Sequence, residues 1–188
     1  KEYNAFRYTD YSFQKFIHAA QKEAYFSNTL FVFIGDHGIA GEVGEMFPRA
    51  WTEKGLTAEH VPLLFYAPDL LTTELRKEAV SQIDILPTIA GFLNEPYVNT
   101  TLGRDLLDPG KKNNFAFITN TADRIGMLTD DYYFTRNINS GEEQLLPLHP
   151  AVPVYTIRQR DSIQKKLSVF TLAYFETAKY LLMNNDKD

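Results

Sequence analysis

Residues 30–38 read LFVFIGDHG: an apolar run that stops at a glycine and is followed at once by an acid and a histidine. Five consecutive apolar residues, β-branched or aromatic apart from Leu30, are too few for a helix and suit a buried strand. A second run, Val61–Tyr66 in HVPLLFYAP, predicts another short strand closed by Pro68. The chain must therefore cover short buried strands with something else. The sequence supplies helices on either side of them.

From Thr9 to Ala24, apolar residues recur as Phe13, Phe16, Ile17 and Ala20, which predicts an amphipathic helix capped by Thr9 or Asp10. SQIDILPTIAGFLN predicts a helix starting near Asp84 or Ile85, with Pro87 in its first turn. Residues 157–183 carry Leu167, Phe170, Ala173, Tyr174 and Ala178 at helical spacing. Between these helices, NFAFITN predicts a strand. RIGMLTDDYYFTRNINSGEEQLLPL predicts an antiparallel hairpin broken at Asp130-Asp131 and Asn139-Ser140-Gly141. The segment from Gly38 to Glu59 shows no period and predicts a functional loop or lid.

Early alternation of helix and strand gives the expected fold class: α/β, with a largely parallel central sheet flanked by helices, a late antiparallel hairpin and a C-terminal helix. At 188 residues the expectation is a single domain, 1–188. In such sheets ligands bind beyond the carboxyl ends of the strands. Asp36 and His37 stand at such an end.

Charge and composition exclude several functions. A net charge of -5 disfavours nucleic acid as a partner, and the absence of cysteine removes disulfides, thiolate catalysis and thiolate zinc sites. No apolar run approaches the roughly 20 residues that cross a bilayer. The chain opens at Lys1 without the pattern of a signal peptide, so it is expected to be part of a longer polypeptide whose signal or membrane anchor lies upstream.

A carboxylate beside an imidazole on one rigid support is a donor set for Zn²⁺, Mn²⁺, Mg²⁺ or Ca²⁺. Gly35 and Gly38 are expected to let the backbone turn sharply and to let a metal or oxyanion approach closely. Taken alone, Asp36 and His37 are equally read as a polar turn after a strand.

The wider pattern narrows this. NTLFVFIGDHG, HVPLLFYAP, SQIDILPTI and LGRDLL follow one another in the order and spacing of sulfatases and of lipoteichoic acid synthase-like phosphoglycerol transferases. With RYTDYSFQKFIHAA before them and RIGMLTDDYYF after, most of the chain resembles the C-terminal portion of the catalytic domain in these members of the alkaline phosphatase superfamily. The resemblance implies transfer or hydrolysis of phosphate or sulfate esters, outside the cell or in the periplasm. It also implies a divalent metal ion held in part by Asp36 and His37.

The nucleophile of that family, a threonine, serine or formylglycine, comes from an earlier region. No Cys- or Ser-x-Pro-x-Arg signature occurs here, so no catalytic nucleophile is assigned, and the isolated chain is expected to be inactive. His60 stands where relatives carry a His or Arg facing the substrate's charged group, and it is equally read as a polar residue at a strand start or as a contact to substrate or metal. Arg49 and Lys54 are cations suited to clamp phosphate or sulfate. His18 and His149 are given no role. Asp84 is read as a helix cap and Gly103-Arg104-Asp105 as turn and ion-pair structure. The sequon Asn99-Thr100-Thr101 is given no weight, since the resemblance is to bacterial enzymes. The Asp-His pair, where many sulfatases use Asp-Asn, leans slightly toward a phosphate substrate. A competing reading is a non-catalytic α/β module that binds an anion or a partner; a phosphomutase would need more ligands than four histidines readily supply.

Overall fold

Strand direction departs from expectation. The computed structural model describes residues 2–42, 44–45, 47–94, 96–110, 113–121, 123–149 and 155–184. Its elements run in the order α1 (Glu2–Ala20), β1 (Phe31–Ile34), α2 (Ala50–Glu53), α3 (Leu56–Glu59), β2 (Leu63–Tyr66), α4 (Ile85–Phe92), β3 (Phe115–Thr121), β4 (Arg124–Thr129), β5 (Tyr132–Asn137), β6 (Glu143–Pro147) and α5 (Ile157–Met183). The fold is α/β, with every ladder among the described residues antiparallel and not parallel. Parallel neighbours need a crossover, usually a full helix. Among the described residues, the chain between β1 and β2 offers only the one-turn helices α2 and α3, and β2 runs back against β1.

The described residues gather into two compact units. In the first, residues 2–38 and 60–75, α1 begins well before Thr9. Thr9 and Ser12 are therefore inside the helix, where their hydroxyls donate to the carbonyls of Ala5 and Tyr8 at 3.1 and 2.8 Å. This back-bonding satisfies them without a cap. Phe13 and Phe16 of α1 meet Phe33 edge-on at 5.1 and 6.3 Å, and Phe16 meets Phe31 at 5.9 Å. Each such pair contributes about 0.5–1.5 kcal/mol beyond area burial. This aromatic cluster fastens α1 to the two-stranded ladder.

In the second unit, residues 39–59 and 76–184, β3 to β6 form a four-stranded meander in sequence order. The expected hairpin is thus three strands of a larger sheet. Alternation along the strands sends Tyr132, Phe134 and Leu145 to one face, against Ile163 and Leu167 of α5. Ile118, Tyr133 and Leu148 face the other way, with Leu56 of α3 and Trp51 of α2. The loop expected at 38–59 therefore includes two short helices that cover a sheet face. Helix α5 spans the residues its periodicity predicts, and Thr156 caps it by accepting from the Gln159 N–H at 3.3 Å. Glu143 ties β6 to α5: Ser168 and Gln164 donate to its carboxylate, as does Arg136 of β5. Burial pushes the Glu143 carboxyl up, but these hydrogen bonds outweigh it and hold the group below its ordinary value.

Candidate functional site

Ladder β1–β2 ends in a way that its residues dictate. Ile34 pairs with Leu63, and the next residue, Gly35, donates its N–H to the Pro62 carbonyl at 3.2 Å. Proline has no N–H to return the bond, so the ladder stops there. Asp36 and His37 follow immediately on one strand and His60 precedes on the other. Continued past its end, the register counts His60 opposite His37.

Asp36 and His37 are exposed. The His37 backbone N–H donates to Asp36 Oδ1 at 2.9 Å, and this bond, followed by the charge of His37, holds the Asp36 carboxyl below its ordinary value. His37 Nδ1 lies 2.9 Å from the Gly38 carbonyl; that acceptor, followed by the Asp36 charge, raises the imidazole above its ordinary value. The tautomer that donates from Nδ1 to Gly38 keeps the Nε2 lone pair for a ligand.

Asp36 Oδ2 and His37 Nε2 are 3.8 Å apart. Two donors on one tetrahedral zinc, each about 2.0–2.2 Å from it, stand roughly 3.3–3.6 Å apart, so a few tenths of an ångström separate the pair from that spacing. The donor chemistry, one oxygen and one imidazole nitrogen, also fits. Among the described residues, no three of His, Cys, Asp and Glu come together as a group able to hold a metal ion.

The other expected residues are distributed as follows. His60 belongs to the first unit with Asp36 and His37; Arg49 and Lys54 belong to the second. Arg49 is exposed just before α2, and Lys54 Nζ donates to Gln144 Oε1 at 2.8 Å. The glycines work differently from expectation. Neither Gly35 nor Gly38 has a positive φ. A Cβ on Gly35 would lie 3.0 Å from Val61 Cβ and 3.1 Å from its Cγ1, so the missing side chain permits a close approach of strands and not a sharp turn.

A second acid-cation pair, Asp84 with Arg104, has the opposite character. Asp84 is fully buried, and with Ser81 it makes the capping box of the turn that leads into α4. Arg104 grips it from Nη2 at 2.7 Å and from Nε at 3.2 Å, and its backbone N–H donates to Asp84 Oδ1 at 2.8 Å. The rest of the guanidinium donates to the carbonyls of Asn113 and Phe115, both at 2.7 Å, and lies over the Phe115 ring. Thr88 completes the clasp: its hydroxyl donates to the Asp84 carbonyl at 2.6 Å and accepts from the Leu106 N–H at 3.0 Å. Burial, and then the Asp84 charge, push the nearby Tyr174 hydroxyl up to about 12. The cap and ion-pair readings of Asp84 and Arg104 describe two halves of one structure. Thr88 was missed, although its place four residues after Asp84, on the same side of a helix, is a signal for it.

The architecture defines an α/β protein with a polar site exposed where its short ladder ends. The chain belongs to the Sulfatase family, whose sequence model matches residues 1–95. That stretch includes Asp36, His37, His60 and Asp84 and stops before the four-stranded sheet. The Lipoteichoic acid synthase-like YvgJ of Bacillus subtilis (strain 168) is 28% identical over 141 residues, 70% of this chain and 22% of that protein. A protein in the alkaline phosphatase superfamily from Vibrio parahaemolyticus matches 93% of this chain with a TM-score of 0.59 at 20% identity, using 42% of its own length. BT4656, solved in complex with its substrate D-glucosamine-2-N,6-O-disulfate, matches 93% of this chain with a TM-score of 0.54 at 15% identity, using 39% of its length. The fold is thus that of the alkaline phosphatase superfamily, and this chain spans well under half of each of these relatives. No helix among the described residues is long and apolar enough to cross a membrane.

Proposed function

We propose that the chain is the C-terminal portion of a longer sulfatase-like catalytic domain that hydrolyses or transfers phosphate or sulfate esters with a divalent metal ion. The observation that carries this reading is the Asp36-His37 pair: adjacent, exposed, tethered by its own backbone, and 3.8 Å between donor atoms. Asp36 supplies an oxygen donor and His37 supplies Nε2; further ligands and the nucleophile come from residues outside those described. A bound ion would polarise the ester oxygens and lower the pKa of the attacking group. His60, at the same end of the ladder, is assigned to the substrate's anionic group. Arg49 and Lys54 are assigned to that group by charge alone. The substrate class of this family and the relatives' names favour an enzyme acting in the periplasm or outside the cell, with membrane anchoring carried by segments beyond this chain.

Paramagnetic broadening by Mn²⁺ tests the reading with the chain as it stands. Signals of Asp36, His37 and Gly38 are expected to broaden first, and Asp36→Ala is expected to abolish the effect. Equal broadening in wild type and Asp36→Ala would overturn metal binding at this pair and leave an anion- or partner-binding module.

A further inference from the structure

Gly35 stands between the last paired residue of β1 and the first candidate donor. Three observations bear on it. Its N–H makes the final ladder bond, to Pro62, at 3.2 Å. The place its side chain would take is already filled, by Val61 Cβ at 3.0 Å, Val61 Cγ1 at 3.1 Å and Pro62 Cδ at 3.4 Å. Its φ is not one that favours glycine, so conformational freedom does not explain the residue. Glycine here serves contact distance: a strand interior glycine often marks a site where another backbone comes close.

What lies on each side of the contact gives it meaning. Asp36 and His37 leave Gly35 directly, and His60 leaves Val61 directly. The spacing between residue 35 and residue 61 therefore sets where the backbone carrying the donor pair leaves the ladder. A β-carbon at 35 makes Val61 yield by a few tenths of an ångström or moves the 36–37 backbone outward. Metal sites tolerate displacements of only about 0.5 Å in their ligands.

We propose that Gly35 is a positioning residue for the candidate metal site, and that its close packing against Val61 fixes the backbone from which Asp36 and His37 leave the ladder. This rests on the metal-binding reading above. The contact acts as a gauge whose value depends on the combined bulk at positions 35 and 61.

Mn²⁺ affinity, read from the broadening of the His37 and Gly38 signals, tests it in wild type, Gly35→Ala, Val61→Gly and the Gly35→Ala/Val61→Gly pair, since only glycine at 61 removes both the Cβ and the Cγ1 that a side chain at 35 would meet. The expected result is about tenfold weaker binding in Gly35→Ala, near-wild-type binding in Val61→Gly, and recovery in the double variant, with unchanged amide signals in β3–β6 throughout. Wild-type affinity in Gly35→Ala overturns the gauge, as does a loss that Val61→Gly fails to reverse. No site-specific broadening in wild type overturns the metal reading instead, so the two failures are distinct. Should Gly35→Ala not fold, the double variant is compared with Val61→Gly: equal binding supports the gauge, and weaker binding in the double variant overturns it.

Discussion

Two aspartate-cation pairs in this chain use similar chemistry to opposite ends. Asp84 is buried and Arg104 half-buried, and between them the clasp engages the carboxylate oxygens, a threonine hydroxyl and three donor positions of the guanidinium. Asp36 and His37 bond to one another and to adjacent backbone, and both are exposed. The first pair spends its bonding capacity on fixing α4 to the segment that precedes β3. The second keeps donor atoms directed outward.

Breaking the clasp should produce the largest effect. Arg104→Ala leaves a buried carboxylate without its partner and is expected to cost about 3–5 kcal/mol, read as a lowered urea midpoint. Gly103→Ala comes next: a Cβ there would lie 2.0 Å from the Ile83 carbonyl oxygen, and overpacking of this kind costs about 1–3 kcal/mol. A loss in stability without any loss of Mn²⁺ response would keep the contrast between the two pairs.

Glu143 provides an intermediate case, a carboxylate part-buried between sheet and helix. Its folded-state pKa lies below the ordinary value of 4.5, so its contribution is fully present above that value and is lost as pH falls through the lower folded one. Glu143→Gln should lower stability by about 1 kcal/mol at pH 7 and flatten the acid limb of the stability curve below pH 4.5. An unchanged acid limb would remove Glu143 from the tie between β6 and α5. Asp36→Ala should have the smallest effect on stability, within about 0.5 kcal/mol, because the residue is exposed. A larger loss would make Asp36 a structural residue like Asp84.

How far the sequence disclosed this arrangement varied with the range of the interaction. Helix α5 was legible at both ends, because helical periodicity is a local property. The start of α1 was not, because Thr9 resembles a cap until the helical segment before it is known. Strand positions were legible from apolar runs, but strand direction was not: Phe31–Ile34 would look the same in a parallel or an antiparallel sheet. The route from Gly35 to Pro62 decides direction, and no short motif encodes it. Asp36 and His37 were visible because glycines and an apolar run frame them. Their relation to His60 needed the register. Gly35 was read for a sharp turn and for close approach of a ligand, and the approach the structure shows is that of Val61, whose crowding leaves no trace in the residues around it.

Gly126 in β4 extends the theme of missing side chains to folding. The Tyr133 ring of β5 lies over it: a Cβ at 126 would come within 2.7 Å of Cε2 and 2.8 Å of the hydroxyl. The ladder pairs Gly126 with Thr135 and Leu128 with Tyr133, so the ring reaches diagonally across the strand pair into the one vacancy. A slip of two residues would bring Leu128 or Arg124 beneath the ring and close that vacancy. β4 and β5 are joined through Asp130-Asp131 alone, with Thr129 bonding both backbone groups of Tyr132. The hairpin therefore carries its own alignment key within about 10 residues of chain, in contacts that do not involve α5.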